Sequence, residues 1–149
     1  LSQRHQVTGS RQIVLFADHL LEDMVNADFD MIVLPGGQPG TNNLNQDSRI
    51  SVLLQKQLNA NKHIAAICAA PLVLAHAKIL NQHKATCYPG AIKQEEWPEI
   101  SLSDESVIVD DRIITSKGPG TAMDFALTLI EVMTNHQTRH TVEQDLVRK

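Results

Sequence analysis

The sequence predicts one α/β domain, a mainly parallel sheet covered by helices on both faces. Three observations carry that expectation. Short apolar runs of strand length recur, Met31-Ile32-Val33-Leu34 and His63-Ile64-Ala65-Ala66-Ile67-Cys68 foremost. Each stops at an abrupt turn, and helical periodicity takes over between them. The length, 149 residues, suits a single domain (residues 1–149) with its own core.

The elements follow in order. Leu1 precedes a polar lead-in, Ser2-Gln3-Arg4-His5-Gln6, with no signal-like apolar segment. Gln12-Ile13-Val14-Leu15-Phe16-Ala17 reads as a short strand, and Leu20 to Val25 as at most a turn or two of helix. Met31 to Leu34 is halted by Pro35-Gly36-Gly37, the pattern of a strand buried on both faces, and a loop follows. From Asp47 or Ser48, the residues Ile50, Val52, Leu53, Leu54 and Leu58 recur at helical spacing, with capping residues in front and Asn59 to Asn61 behind. His63 to Cys68 is the next strand, and Ala69 to Ile79 turns at once to helical period, completing a βαβ unit. Lys84 to Tyr88 is a strand candidate. Val107-Ile108-Val109 and Ile113-Ile114-Thr115 flank Asp110-Asp111-Arg112 as a hairpin, which Gly118-Pro119-Gly120 ends. Thr121, with Asp124 three residues on, caps an apolar helix over Ala122 to Met133, and a last helix covers His136 to Val147.

Composition narrows the function classes. With 13 basic against 17 acidic side chains, a net charge of −4 and no Lys/Arg run, the chain lacks the basic stripe of a nucleic-acid binder. No stretch reaches the roughly 18 apolar residues of a membrane span, so no membrane partner is expected. Its two cysteines, Cys68 and Cys87, are too few for a disulfide framework and favour a reduced, cytoplasmic setting.

In such folds ligands sit beyond the carboxyl ends of the strands, where Pro35-Gly36-Gly37, Cys68 and Gly118-Pro119-Gly120 should gather. Cys68 lies where a strand turns into a helix, among Ala65, Ala66, Ala69 and Ala70. A nucleophile elbow strains its central residue and crowds the neighbouring strands, so small side chains are what fits. Unpaired amides at a helix start favour thiolate over thiol. The N–H groups of Ala69, Gly36 and Gly37 are candidates to converge on an oxyanion. On position alone, a small core residue remains an equal account of Cys68.

Several motifs, in order, tip that balance: Ile32-Val33-Leu34-Pro35-Gly36-Gly37, Gly40, Asn43-Leu44, Ile64 to Pro71, Thr115-Ser116-Lys117-Gly118-Pro119-Gly120-Thr121 and Asp124-Phe125-Ala126-Leu127. Together they resemble the ThiJ/PfpI superfamily, in particular its branch of Parkinsonism-associated deglycase and bacterial YajL-type proteins. The resemblance implies a flavodoxin-like three-layer sandwich, a homodimer, and a reactive, easily oxidised cysteine at Cys68. Protease-like members place a histidine directly after the cysteine, where this chain has Ala69. Class I glutamine amidotransferases need His-x-Glu, and His140-Thr141-Val142-Glu143 has the wrong spacing. No histidine of the chain pairs visibly with Cys68, so a carboxyl partner is expected instead.

The family carries that carboxyl as a glutamate on its first helix. In relatives a strand, that helix and another strand precede the segment matching Arg11 to Ala17, and residues 1–10 do not supply them. The expectation is that roughly 40 residues, one βα unit plus a strand, were cut away, sit in a separate chain or were lost.

The resemblance further implies glyoxalase-like or deglycase activity, as a hydrolase or lyase, on methylglyoxal, glyoxal or early glycation adducts of proteins and nucleotides. Cys68 would form a hemithioacetal and release a hydroxy acid, with no cofactor and no metal. The alternative is a redox-sensing chaperone of oxidative-stress defence that uses oxidation of Cys68 without turnover. Thiamine-precursor synthesis has no support in these residues.

Tyr88 falls where the deglycase branch has a histidine or another aromatic near the thiol, and a half-buried strand tyrosine explains it equally. Cys87, its neighbour, should face the opposite side and is read as core. Gly118 and Pro119 line the pocket by resemblance, although a strand-closing turn accounts for them. Arg11 matches an arginine near the family's dimer interface. His136 and His140 have a zinc-ligand spacing, but Gln137-Thr138-Arg139 lacks the glutamate of a metalloprotease, and a solvated pair is expected. Glu95-Glu96-Trp97-Pro98-Glu99 reads as solvated surface, and His5, His19, His63, His76 and His83 are assigned no role.

Overall fold

The computed structural model describes residues 5–148, so Leu1 to Arg4 of the polar lead-in lie outside the described residues. In chain order the elements are β1 (Gln6–Thr8), β2 (Val14–Phe16), α1 (Leu21–Met24), β3 (Met31–Leu34), α2 (Gly40–Gln46), α3 (Ser48–Asn59), β4 (His63–Ile67), α4 (Pro71–His76), β5 (Lys84–Ala85), β6 (Ser101–Leu102), β7 (Val107–Asp110) and β8 (Ile113–Ser116). A 3-10 turn over Pro119–Thr121 leads into α5 (Ala122–Met133) and α6 (His136–Asp145).

The central sheet has the order β3-β4-β8-β7, with β3, β4 and β8 parallel and β7 antiparallel to β8. Leu34 lies opposite Ala66, and Ile67 opposite Ser116. Three carboxyl ends therefore close together, which is where the sequence places the site.

The pleat of β4 sorts the core. Ile64 and Ala66 face a large cluster with Leu54 of α3 and Leu74 of α4, while Ala65 faces a smaller one with Ile114 and Phe125 of α5. Both alanines are fully buried; larger side chains there would hold the helices off the sheet. The α3 start is capped by the Asp47 carboxylate, which accepts from the Arg49 amide at 3.1 Å. The Arg49 guanidinium, hydrogen-bonded to the same carboxylate, holds its pKa down at about 2, so the cap stays ionised through the neutral range. Leu54, fully buried at the centre of α3, anchors that helix. Leu54→Ala is expected to cost about 3 kcal/mol in denaturant unfolding; a loss under about 1 kcal/mol would contradict the packing described.

Several elements differ from the sequence expectation. The first strand shrinks to Val14–Phe16 and pairs with β1, an unforeseen partner, in a hairpin exposed on both faces. β3 is not buried on both faces: Val33 is 45% exposed, and β3 is the edge of its sheet among the described residues. Gly40–Gln46, expected as loop, is helix α2. The helix expected over Ala69 to Ile79 spans only Pro71–His76, since Lys78 turns to φ 58° and the Ile79 amide folds back onto the Leu74 carbonyl. Lys84 to Tyr88 is strand only over Lys84–Ala85, paired with β6 in a small separate sheet. The last helix stops at Asp145.

Candidate active site

Cys68 is the first residue beyond β4 and adopts φ 66°, a left-handed conformation that costs a non-glycine residue about 1 kcal/mol or more. Two backbone hydrogen bonds hold it there. Its N–H donates to the Ser116 carbonyl at 2.9 Å, and its carbonyl accepts from the Tyr88 N–H at 2.8 Å. The Ala69-Ala70 turn separates it from α4, a helix of six residues, so the thiol precedes the helix instead of sitting on its first residue.

Gly36 meets this elbow directly. A Cβ there would lie 2.6 Å from the Cys68 Cβ, 2.8 Å from the Ile67 carbonyl oxygen and 3.2 Å from the Cys68 Sγ. Only glycine permits that approach. Gly37 follows at φ +88°, and its missing Cβ would stand 3.2 Å from the Ser10 hydroxyl, so the β1-β2 turn reaches the Pro35-Gly36-Gly37 turn. Within the described residues the amides of Gly36, Gly37 and Ala69 donate no hydrogen bond, and Gly36 is the one whose added Cβ would meet the thiol.

Tyr88 is 51% exposed and belongs to no strand, yet its own N–H ties it to the Cys68 carbonyl. Its ring edge lies 3.4 Å from where a Gly118 Cβ would be, so Gly118 joins the group through Tyr88. Pro119 is exposed and opens the 3-10 turn. The opposite-face argument for Cys87 fails, because no strand runs through it, but the residue still packs against the large core cluster. Burial pushes the Cys87 thiol up, the Ile92 amide opposes this, and the nearby Cys68 adds a smaller push. Both cysteines are free thiols. Among the described residues no carboxylate hydrogen-bonds to Cys68, and no group of three or more His, Cys, Asp or Glu is placed to hold a metal ion. His136 and His140 stack with ring centroids 6.3 Å apart on an exposed face, and Arg11 is exposed. The wide clefts along α3, one of about 660 Å³ beside Ser51, Gln55 and Asn59, do not include Cys68.

Sequence reasoning missed Ser116 and Thr121 as parts of the site. Ser116 is fully buried, and its hydroxyl lies 2.7 Å from the Thr121 hydroxyl. Their position inside the Thr115 to Thr121 motif was the available signal.

A strained cysteine closing a buried parallel strand, with a glycine turn pressed against it, defines a cysteine-elbow α/β protein. The DJ-1/PfpI family model matches residues 1–132, and the chain belongs to the DJ-1/PfpI family. It is similar to Protein dj-1beta of Drosophila melanogaster, 36% identical over 141 residues, spanning 95% of this chain and 75% of that protein. The crystal structure of Drosophila melanogaster DJ-1beta superposes with a TM-score of 0.90 at 34% identity, covering 97% of this chain and 78% of that one. The fold is accordingly the flavodoxin-type α/β fold of the DJ-1 structures. A Caenorhabditis elegans relative named glutathione-independent glyoxalase DJR-1.2 is 39% identical over 116 residues, which is 78% of this chain and 61% of that protein. Against Protein DJ-1 homolog A of Arabidopsis thaliana the chain spans only 32% of the relative's length, at 37% identity over 127 residues and 85% of this chain. No helix among the described residues is long and apolar enough to cross a membrane.

Proposed function

We propose that the protein is a cysteine-dependent glyoxalase or deglycase-like enzyme acting on methylglyoxal, glyoxal or early glycation adducts. The observation that carries this reading is the Cys68 elbow, a partly buried thiol at φ 66° against the Gly36 turn, whose amide, like those of Gly37 and Ala69, donates no hydrogen bond among the described residues. The glyoxalase name of the worm relative supports it.

The Cys68 sulfur adds to the aldehyde carbon of the dicarbonyl, and the oxygen takes a proton to give a hemithioacetal. The amides of Gly36, Gly37 and Ala69 stabilise the oxyanion as it forms. Moving the carbon-bound proton through an enediol oxidises the aldehyde carbon to a thioester while reducing the neighbouring ketone to an alcohol. Water then releases the hydroxy acid and returns the thiol. The redox change is internal to the substrate, so the balance calls for no cofactor. Tyr88, half exposed beside the elbow, would donate a hydrogen bond to the substrate.

The proton transfer calls for a carboxyl acid and base, which none of the described residues presents to Cys68 through a hydrogen bond. A cytoplasmic homodimer fits the two free thiols and the exposed apolar hairpin, where Leu15 is 61% and Phe16 74% exposed. Methylglyoxal consumption by the wild type against Cys68→Ser tests the proposal, and equal rates would remove it.

The strained, partly buried Cys68 thiol also supports a second reading, a stress-response chaperone sensing oxidation through Cys68. Mild peroxide is expected to add two oxygens to Cys68 and none to Cys87, whose burial keeps its thiol protonated at neutral pH. Peptide mass spectrometry checks this, and equal oxidation of both cysteines would argue against a tuned site.

A further inference from the structure

We infer that the Thr121 hydroxyl is a positioning group that locks the Cys68 elbow to the Tyr88 wall of the site. This rests on Cys68 being the reactive residue but not on the nature of its substrate. The argument starts from proton counting. The Ser116 hydroxyl donates to the Ser106 carbonyl at 3.0 Å, which uses its one proton. The Thr121 oxygen accepts from the Gly118 N–H at 3.0 Å, and its own proton has two acceptors in reach, the Gly118 carbonyl at 2.9 Å and the Ser116 Oγ at 2.7 Å. The Gly118 carbonyl already accepts the Thr121 backbone N–H at 3.0 Å. Ser116 Oγ, in a fully buried residue, has no other donor among the described residues, so satisfying buried polar groups sends the proton there. The result is a one-way chain from Gly118 N–H through Thr121 and Ser116 to the Ser106 carbonyl.

That chain closes a ring around the nucleophile. Ser116 presents its carbonyl to the Cys68 N–H at 2.9 Å, Gly118 packs against the Tyr88 ring, and the Tyr88 N–H donates to the Cys68 carbonyl at 2.8 Å. The hydrogen bonds of Thr121 go to neither thiol nor ring but to Ser116 and Gly118, so it sets the spacing between the two segments that meet them. Its removal frees Gly118 from Ser116, and with them the relative position of Tyr88 and the Cys68 backbone.

The test is the rate at which iodoacetamide alkylates Cys68 in the folded protein, with Cys87 as internal reference and no dicarbonyl present. Thr121→Val keeps the shape and removes the hydroxyl, and it is expected to slow Cys68 about tenfold and alter the pH profile of its alkylation while leaving Cys87 unchanged. Thr121→Ser should restore the rate. Ser116→Ala, which breaks the same link from the other side, should slow Cys68 likewise and serves if the valine variant does not fold. A wild-type rate in the folded variants, failure of serine to restore it, or parallel change at Cys68 and Cys87 would overturn the inference. Lack of methylglyoxal turnover in the wild type would overturn the proposed activity and leave this result standing.

Discussion

Gly36→Ala is expected to lower stability by about 2 to 3 kcal/mol and to slow alkylation of Cys68 sharply. The new methyl would stand 2.6 Å from the Cys68 Cβ and 2.8 Å from the Ile67 carbonyl oxygen. The first contact involves a side chain with no rotatable bond before its Cβ, and the second is backbone. Neither yields by a rotamer change. Relief therefore moves the Pro35-Gly36-Gly37 turn away from β4, or moves the elbow, and either opens the space between the oxyanion donors and the thiol. Gly120→Ala is the control, since nothing lies within 4 Å of its added Cβ. Denaturant unfolding and alkylation rates measured on both variants separate the cases. A Gly36→Ala protein as stable and as reactive as Gly120→Ala would contradict the geometry of the elbow.

Cys68→Ser is expected to reduce dicarbonyl turnover by about a thousandfold or more while leaving the fold intact. Serine is nearly isosteric and the bonds to Ser116 and Tyr88 are made by the backbone, so they persist. What disappears is the nucleophile. A hydroxyl ionises far above neutral pH, and no histidine or carboxylate among the described residues is hydrogen-bonded to this position to activate it. Cys87→Ser should stay within about twofold of wild type, because the Cys87 thiol is core packing. Equal losses from the two substitutions would point to general loosening rather than to chemistry at Cys68.

The strands that build the site were legible because β4 and β8 are apolar runs with abrupt ends. In β4, buried on both sides, hydrophobicity alone marks the element. The exposed elements were not legible in the same way. β1 is Gln-Val-Thr, exposed throughout, and no burial pattern marks it. α2 is Gly-Thr-Asn-Asn-Leu-Asn-Gln, a composition that favours turns; it is helical because the buried Thr41 donates both its N–H, at 2.9 Å, and its hydroxyl, at 3.1 Å, to the Gly37 carbonyl. That bond ties α2 to the glycine turn of the site. The tail of the expected α4 failed because Ala and Ile continue a helical pattern that a single left-handed residue, Lys78, ends. Cys68 and Gly36 were readable from a cysteine between alanines and from a glycine pair. For Ser116 and Thr121 the motif marked only the segment, and the three-dimensional network shows which of its hydroxyls meet.

The most direct test of the account is proton NMR of methylglyoxal incubated with the wild-type protein, with Cys68→Ser run beside it. The account predicts lactate accumulating to many equivalents per protein in the wild type and none above background in the variant. Methylglyoxal loss that stops at about one equivalent, or lactate formed equally by both proteins, would contradict it.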